Sequence, residues 1–274
     1  MFDVFRYAFM RRAVLASVLG GASCGIVGVW VIMLGIPFVG VAMAHAAFAG
    51  ALFGLLVGID PVLSGFIFCL LSASFIGPVA DRGDFEPNLS TGIIFSIVLG
   101  LAFLFMGMIE GPQANAMRYI WGSILTVSAA DTVYLLVTAV LIFLFLALFY
   151  KEILAVLYDR TTARAAGVAD KAVFYLILFL CGAAVTVNLN TVGGILIFSL
   201  IISPPAAAYQ LTYSFKMMHL LSAVFGVASC LAGLFFSYVF DLRSGAAIII
   251  TSGLIFVISL ALSPKRRNRV YAGS

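Results

Sequence analysis

The chain has 274 residues, 64% of them hydrophobic and 9% charged, with 15 basic against 11 acidic side chains. Soluble domains are about 45–50% apolar and about 25% charged, so a mean hydropathy of +1.21 excludes a water-soluble enzyme and leaves an integral membrane protein. No Gly-rich phosphate loop and no basic groove with interleaved aromatics is present, which excludes nucleotide hydrolysis by this chain and nucleic-acid binding.

A span needs roughly 20 apolar residues to cross a hydrocarbon core about 30 Å thick. On that rule the sequence predicts an all-α, polytopic transmembrane bundle of about nine segments, near 13–34, 39–58, 61–80, 89–109, 131–150, 172–189, 192–210, 218–240 and 245–263. Residues 1–274 then form a single transmembrane domain. Arg6, Arg11 and Arg12 before the first apolar run resemble a secretory signal, but further spans follow and no polar mature domain does, so the segment reads as a structural helix. Residues 2–12, with Phe2, Phe5 and Phe9 on one side, are spaced for an interfacial amphipathic helix. Joints such as Gly35-Ile36-Pro37, Asp60-Pro61, Glu86-Pro87 and Asp241–Gly245 carry residues that end helices.

Nine crossings put the termini on opposite faces. Arg82, Lys151, Arg160, Arg164, Lys171, Lys216, Lys265, Arg266, Arg267 and Arg269 then share one face, against Arg6, Arg11, Arg12, Arg118 and Arg243 on the other. The positive-inside rule makes the richer face cytoplasmic and the carboxyl terminus with it.

Four places depart from plain apolar helix. His45, in Met43-Ala-His-Ala46, is an ionisable group about a third of the way along a span, where such residues are costly and are functional candidates; imidazole is also a good metal ligand. The alternative is a packing histidine. Asp159-Arg-Thr-Thr-Ala-Arg-Ala-Ala-Gly167 reads as one short helix with Asp159 as N-cap and Gly167 closing the far end, either a docking element or a solvated connector. Val187–Gly194, with Asn188, Asn190 and a glycine pair, followed by Ser199, Ser203, Pro204 and Pro205, reads as a broken helix lining a polar path or as a packed kink. His219, beside Lys216 near a helix end, suggests a surface or interfacial role. Cys24, Cys69, Cys181 and Cys230 sit in apolar runs as small hydrophobes, and small residues around Gly20-Gly21, Gly50–Gly54 and Gly226–Ser229 permit close helix approach.

The ordered segments resemble the permease subunits of the ABC-3 family, membrane components of binding-protein-dependent importers for zinc, manganese and iron. The resemblance runs through Phe9–Ala13, Phe38–Gly40 with Ala44-His45-Ala46, Gly92–Ser96, Tyr119–Ser123, Tyr158-Asp159 with Ala165–Gly167, Val192–Ser199 with Ile202–Ala206, and Ser237–Asp241 with Ser244-Gly245. It implies a multi-pass permease of the bacterial plasma or inner membrane. The permease would pair with a second protomer, identical in a homodimer, and the assembly would be served by two cytoplasmic ATPase subunits and an extracytoplasmic metal-binding receptor. The chain itself would hold no stable cofactor and do no catalysis; a divalent metal ion would be its transported substrate and ATP would be used by the partner.

The resemblance also implies roles for particular residues. His45 would meet the metal on the translocation path, and, from the residues themselves, Asn188, Asn190 or a carboxylate of the partner protomer could assist it. Residues 159–167 would be the cytoplasmic coupling helix, through Asp159, Arg160, Arg164 and Gly167. Two departures matter. The family's aspartate one turn before the histidine is Val41 here, and its acidic-Asp-Thr pattern before the fourth span is Glu86-Pro-Asn88. Val41 keeps open a permease for a metal chelate such as haem or a siderophore. An ion-coupled secondary transporter needs a buried acid, whereas Asp131 and Glu110 lie near span ends.

Overall fold

A computed structural model describes residues 7–83, 87–109, 122, 124, 127–189 and 193–265, and the regular elements among them are all helical. In chain order they are α1 (Ala8–Met33), α2 (Val39–Val57), α3 (Pro61–Gly83), α4 (Pro87–Met108), α5 (Ala129–Leu148), α6 (Tyr150–Tyr158), α7 (Arg160–Ala165), α8 (Asp170–Leu189), α9 (Gly194–Leu211), α10 (Phe215–Phe240) and α11 (Ser244–Ala261). Helices dominate because a backbone in hydrocarbon must satisfy its polar groups internally.

Among the described residues, eight helices are long and apolar enough to cross a membrane: α1 to α5, α8, α10 and α11. The ninth expected span lies on α9, an 18-residue helix that contains the apolar stretch Ile197–Leu211. Its start is set by Gly193, whose φ of 99° breaks the chain just before Gly194. Of the interfacial helix expected at 2–12, residues 8–12 are the first turns of α1, and 2–6 lie outside the described residues.

Local chemistry sets the joints. Asp60 Oδ1 accepts the amides of Val62 and Leu63, both at 2.9 Å, and starts α3. Ser128 and Asp131 form a reciprocal capping box at α5, so this buried acid is spent on its own helix. Asn88 Nδ2 donates to the Gly35 carbonyl at 2.7 Å, pinning the start of α4 to the α1–α2 joint.

α1 is the central post, packed against α5, α8, α9 and α10. It meets α10 backbone to backbone: a Cβ added at Gly21 would lie 2.6 Å from the Gly226 carbonyl oxygen. Ser222 Oγ adds a 2.6 Å hydrogen bond to the Gly25 carbonyl. Such close approach replaces the hydrophobic drive that lipid cannot provide. The four cysteines are free and buried.

His219 does not take the surface or interfacial role that its neighbour Lys216 suggests. It is buried in α10, its Nδ1–H donating to the Phe215 carbonyl at 2.9 Å while Nε2 accepts from Trp30 Nε1–H at 2.9 Å. A fully buried indole in α1 needs an acceptor for its N–H, and His219 supplies it.

Candidate functional site

α2 and α4 run side by side in the same sense. Their starts are joined by Asn88 and Gly35. One or two turns on, the Phe95 ring stands edge-on to Phe38 at 5.2 Å and to His45 at 5.0 Å. Further along, Phe48 and Leu52 form a cluster with Ala102. Phe38, Val41, His45 and Phe48 therefore lie on one helical face.

His45 is half-buried on that face, with Nδ1 3.0 Å from the Val41 carbonyl oxygen. A carbonyl only accepts, so Nδ1 carries a proton, and in the neutral tautomer with this bond the lone pair is on Nε2. Val41 thus contributes its backbone to the histidine although its side chain cannot bind a cation. Beside His45 is a cavity of about 170 Å³, lined by Phe48 of α2, by Leu99, Phe103 and Met106 of α4, and by Gly194 at the start of α9. Among the described residues no group of three or more His, Cys, Asp or Glu converges to hold a metal. The arrangement can offer an ion one nitrogen ligand in an otherwise apolar wall.

Asn188 lies elsewhere in this conformation. It is buried near the end of α8, its Nδ2 donating to the Ala184 carbonyl at 2.8 Å and its Oδ1 facing Gly20 of α1. Asn190 lies outside the described residues. Ser199 and Ser203 are half-buried neighbours on α9, with hydroxyls 3.4 Å apart.

The segment 159–167 is a capped helix. The Asp159 carboxylate accepts the Thr162 amide at the start of α7, and this hydrogen bond holds its carboxyl below the ordinary value. At the far end the Gly167 amide donates to the Arg164 carbonyl and the Val168 amide to the Ala163 carbonyl, each at 3.0 Å, with Gly167 at φ +83°. That is a Schellman closure, which needs a left-handed residue and therefore favours glycine. Two features around it were not anticipated. α6 precedes it, burying Ile153, Val156 and Leu157, a pattern visible as apolar spacing of three and four. Asp170 follows it as a shared anchor. Arg164 grips Asp170 with two bonds, Nε to Oδ1 at 2.9 Å and Nη2 to Oδ2 at 2.8 Å. Arg160 Nη2 reaches Oδ2 at 3.3 Å and its guanidinium lies 4.2 Å over the Phe174 ring.

The ABC 3 transport family matches residues 6–263 of this chain. The chain belongs to that family. As an ABC 3 chain it is 29% identical over 264 residues to the manganese transport system membrane protein MntC of Halalkalibacterium halodurans, covering 96% of this chain and 90% of that protein. It is 30% identical over 263 residues to the protein of the same description in Listeria monocytogenes, covering 96% and 94%. Its fold is similar to PsaBC from Streptococcus pneumoniae, solved in complex with Fab, with a TM-score of 0.87, 28% identity, and coverage of 97% of this chain and 96% of that one. It is a multi-pass membrane permease subunit of an ABC-type transporter, and lies in the cell membrane.

Proposed function

We propose that this ABC 3 permease carries a divalent metal ion into the cell, with manganese the first candidate on the names of its relatives and zinc and iron as the competitors. The observation that carries the reading is His45: an imidazole whose Nδ1 is held by the Val41 carbonyl, lining a half-open cavity on the α2–α4 face of a bundle of apolar spans. A single nitrogen ligand holds a hydrated dication weakly, which suits a path that must release its cargo and leaves selection to the extracytoplasmic receptor.

Two permease copies enclose the path in this reading, and ATP is hydrolysed by two cytoplasmic subunits docked at residues 159–167. Asp159 and Gly167 define the coupling helix, and Arg164 and Tyr158 offer it a contact surface, Tyr158 being 87% exposed. Arg160 and Arg164 also bind Asp170 at the head of α8, and α8 packs on α2. A push on α7 then travels through α8 to the helix bearing His45. Asn188 and Asn190 are the polar groups that a rearranged α8 end would bring towards the path.

Uptake of manganese, zinc and iron, assayed side by side in vesicles holding the receptor-loaded complex, tests this. ATP-dependent manganese uptake is expected, falling several-fold in His45→Ala with assembly intact. Equal uptake by the variant would retire the direct-ligand role, and no ATP-dependent uptake of any of the three would sink the functional reading itself.

A further inference from the structure

We propose that the outer face of α10 holds an anionic phospholipid of the cytoplasmic leaflet, with its headgroup at Lys216 and an acyl chain in a groove further along the same face. A shallow groove of about 370 Å³ lies against Ala223, Val224, Val227, Ala228 and Leu231, and its wall is apolar throughout. Successive residues turn by one part in 3.6, so Lys216, Ala223, Val227 and Leu231 share one side of the helix. At a rise of 1.5 Å per residue the groove begins about 10 Å from Lys216 and ends about 22 Å from it. That is the depth of acyl chains below a headgroup, since half of the hydrocarbon core is about 15 Å thick. With 26 residues, α10 is about 39 Å long and exceeds the core, which leaves its first turn at headgroup level.

Lys216 stands in that first turn. Its Nζ lies 5.5 Å from the centroid of the Tyr150 ring, and Tyr150 in turn packs on Phe215 at 5.7 Å. The ring steadies the ammonium from one side, while the residue stays exposed, and among the described residues Lys216 has no carboxylate partner. Across the α9–α10 joint, Lys265 Nζ lies 3.6 Å over the Tyr209 ring and 4.8 Å over the Tyr213 ring. This end of the bundle is therefore rimmed by cations and tyrosines, the residues that anchor at headgroup level. With the basic-residue orientation it faces the cytoplasmic leaflet, whose anionic lipids attract lysines. Charge decides the occupant. An apolar helix laid in the groove would leave the ammonium uncompensated, whereas a phospholipid brings a chain and a phosphate at the required separation. The other side of α10 is keyed to α1 through Gly226 and Ser222, so lipid covers the side that this chain leaves open.

The test reconstitutes the transporter in vesicles of equal phosphatidylglycerol and phosphatidylcholine, extracts it, and counts the lipid retained per permease by native mass spectrometry. Wild type should keep phosphatidylglycerol over phosphatidylcholine by about fivefold, the factor that one lysine contributes near an anionic surface. Lys216→Gln should bring the two lipids level, and Lys216→Arg should restore the preference. Ala223→Phe or Ala228→Phe should fill the groove and lower retention of both lipids. Equal retention of the two lipids by wild type, or an unchanged preference in Lys216→Gln, overturns the proposal. Lys216 is exposed, so its variants decide the matter where a phenylalanine variant assembles poorly. A phenylalanine variant that keeps its lipid but loses contact between permease copies overturns the proposal in favour of a second copy on this face. Retention is read without transport, so these outcomes are independent of the cargo.

Discussion

His45 and His219 show how the same side chain is used in two ways. Each donates Nδ1–H to the carbonyl four residues earlier, at 3.0 Å from His45 and 2.9 Å from His219. The difference lies at Nε2. In His219 it is taken by Trp30, so the ring is a structural acceptor, and Trp30→Phe should destabilise the permease by about 0.5–1.5 kcal/mol, the net worth of an ordinary hydrogen bond. A lowered melting temperature with unchanged uptake per complex would bear this out. His45 instead lines the cavity, and Val41 is one turn before it on the same face. Val41→Asp would add a carboxylate, a ligand type that suits manganese. Metal retention by the purified complex should rise and turnover should fall; retention equal to wild type would show that the two positions do not share an ion.

At the scale of one element, α7 is held at three points: the Asp159 cap, the Gly167 closure and the Asp170 anchor. Asp159→Ala should remove the N-cap and loosen the helix, lowering transport-linked ATP hydrolysis while membrane abundance stays near normal. Asp170→Asn weakens the charge-assisted bonds to both arginines, each worth about 1.5–3 kcal/mol. It should uncouple hydrolysis from uptake, a split that an unperturbed uptake-to-hydrolysis ratio would contradict. The cap also has a pH signature. The Thr162 amide holds the Asp159 carboxyl below its ordinary value of 3.8, so the cap's contribution is complete above that value and is lost as pH falls through the lowered one. Hydrogen exchange in residues 160–165 should therefore be flat through neutral pH and should show extra opening only in strong acid. The α1–α10 seam is governed by contact rather than charge. Gly21→Leu would drive a side chain into the Gly226 backbone and should cost at least the ~1–3 kcal/mol typical of overpacking, seen as loss of folded permease.

For the whole molecule, the face of α2 and α4 around His45 is only half-covered by this chain: Phe38, Val41, His45, Phe95 and Leu99 are all half-buried. On the proposed docking at α7, each chain would hold one ATPase. The expected assembly is two permeases with two ATPases, and native mass measurement of the solubilised transporter should find that ratio. A transporting monomer with no hydrolysing partner would contradict it.

Composition by itself determined that the chain is a membrane bundle, because 64% apolar residues cannot be hidden from water, and spans close to the observed helices followed from apolar length alone. The short capped helix at 159–167 was also legible, since Asp159 and Gly167 act on amides only a few residues away. His45 could be singled out because an imidazole in an apolar run is costly wherever the run packs. Only the tertiary structure decided which partners those residues meet. The acceptor for Trp30 lies 189 residues away in His219, and nothing in the neighbourhood of Lys216 announces it. Asp170 became an anchor only when the turn at Gly167 brought α8 back against α7. Phe95 is one phenylalanine among 25, and its place between Phe38 and His45 depends on α2 and α4 running in parallel register. Local hydrogen bonds and apolar length are set over a few residues of sequence, whereas contacts between helices depend on how the whole bundle packs.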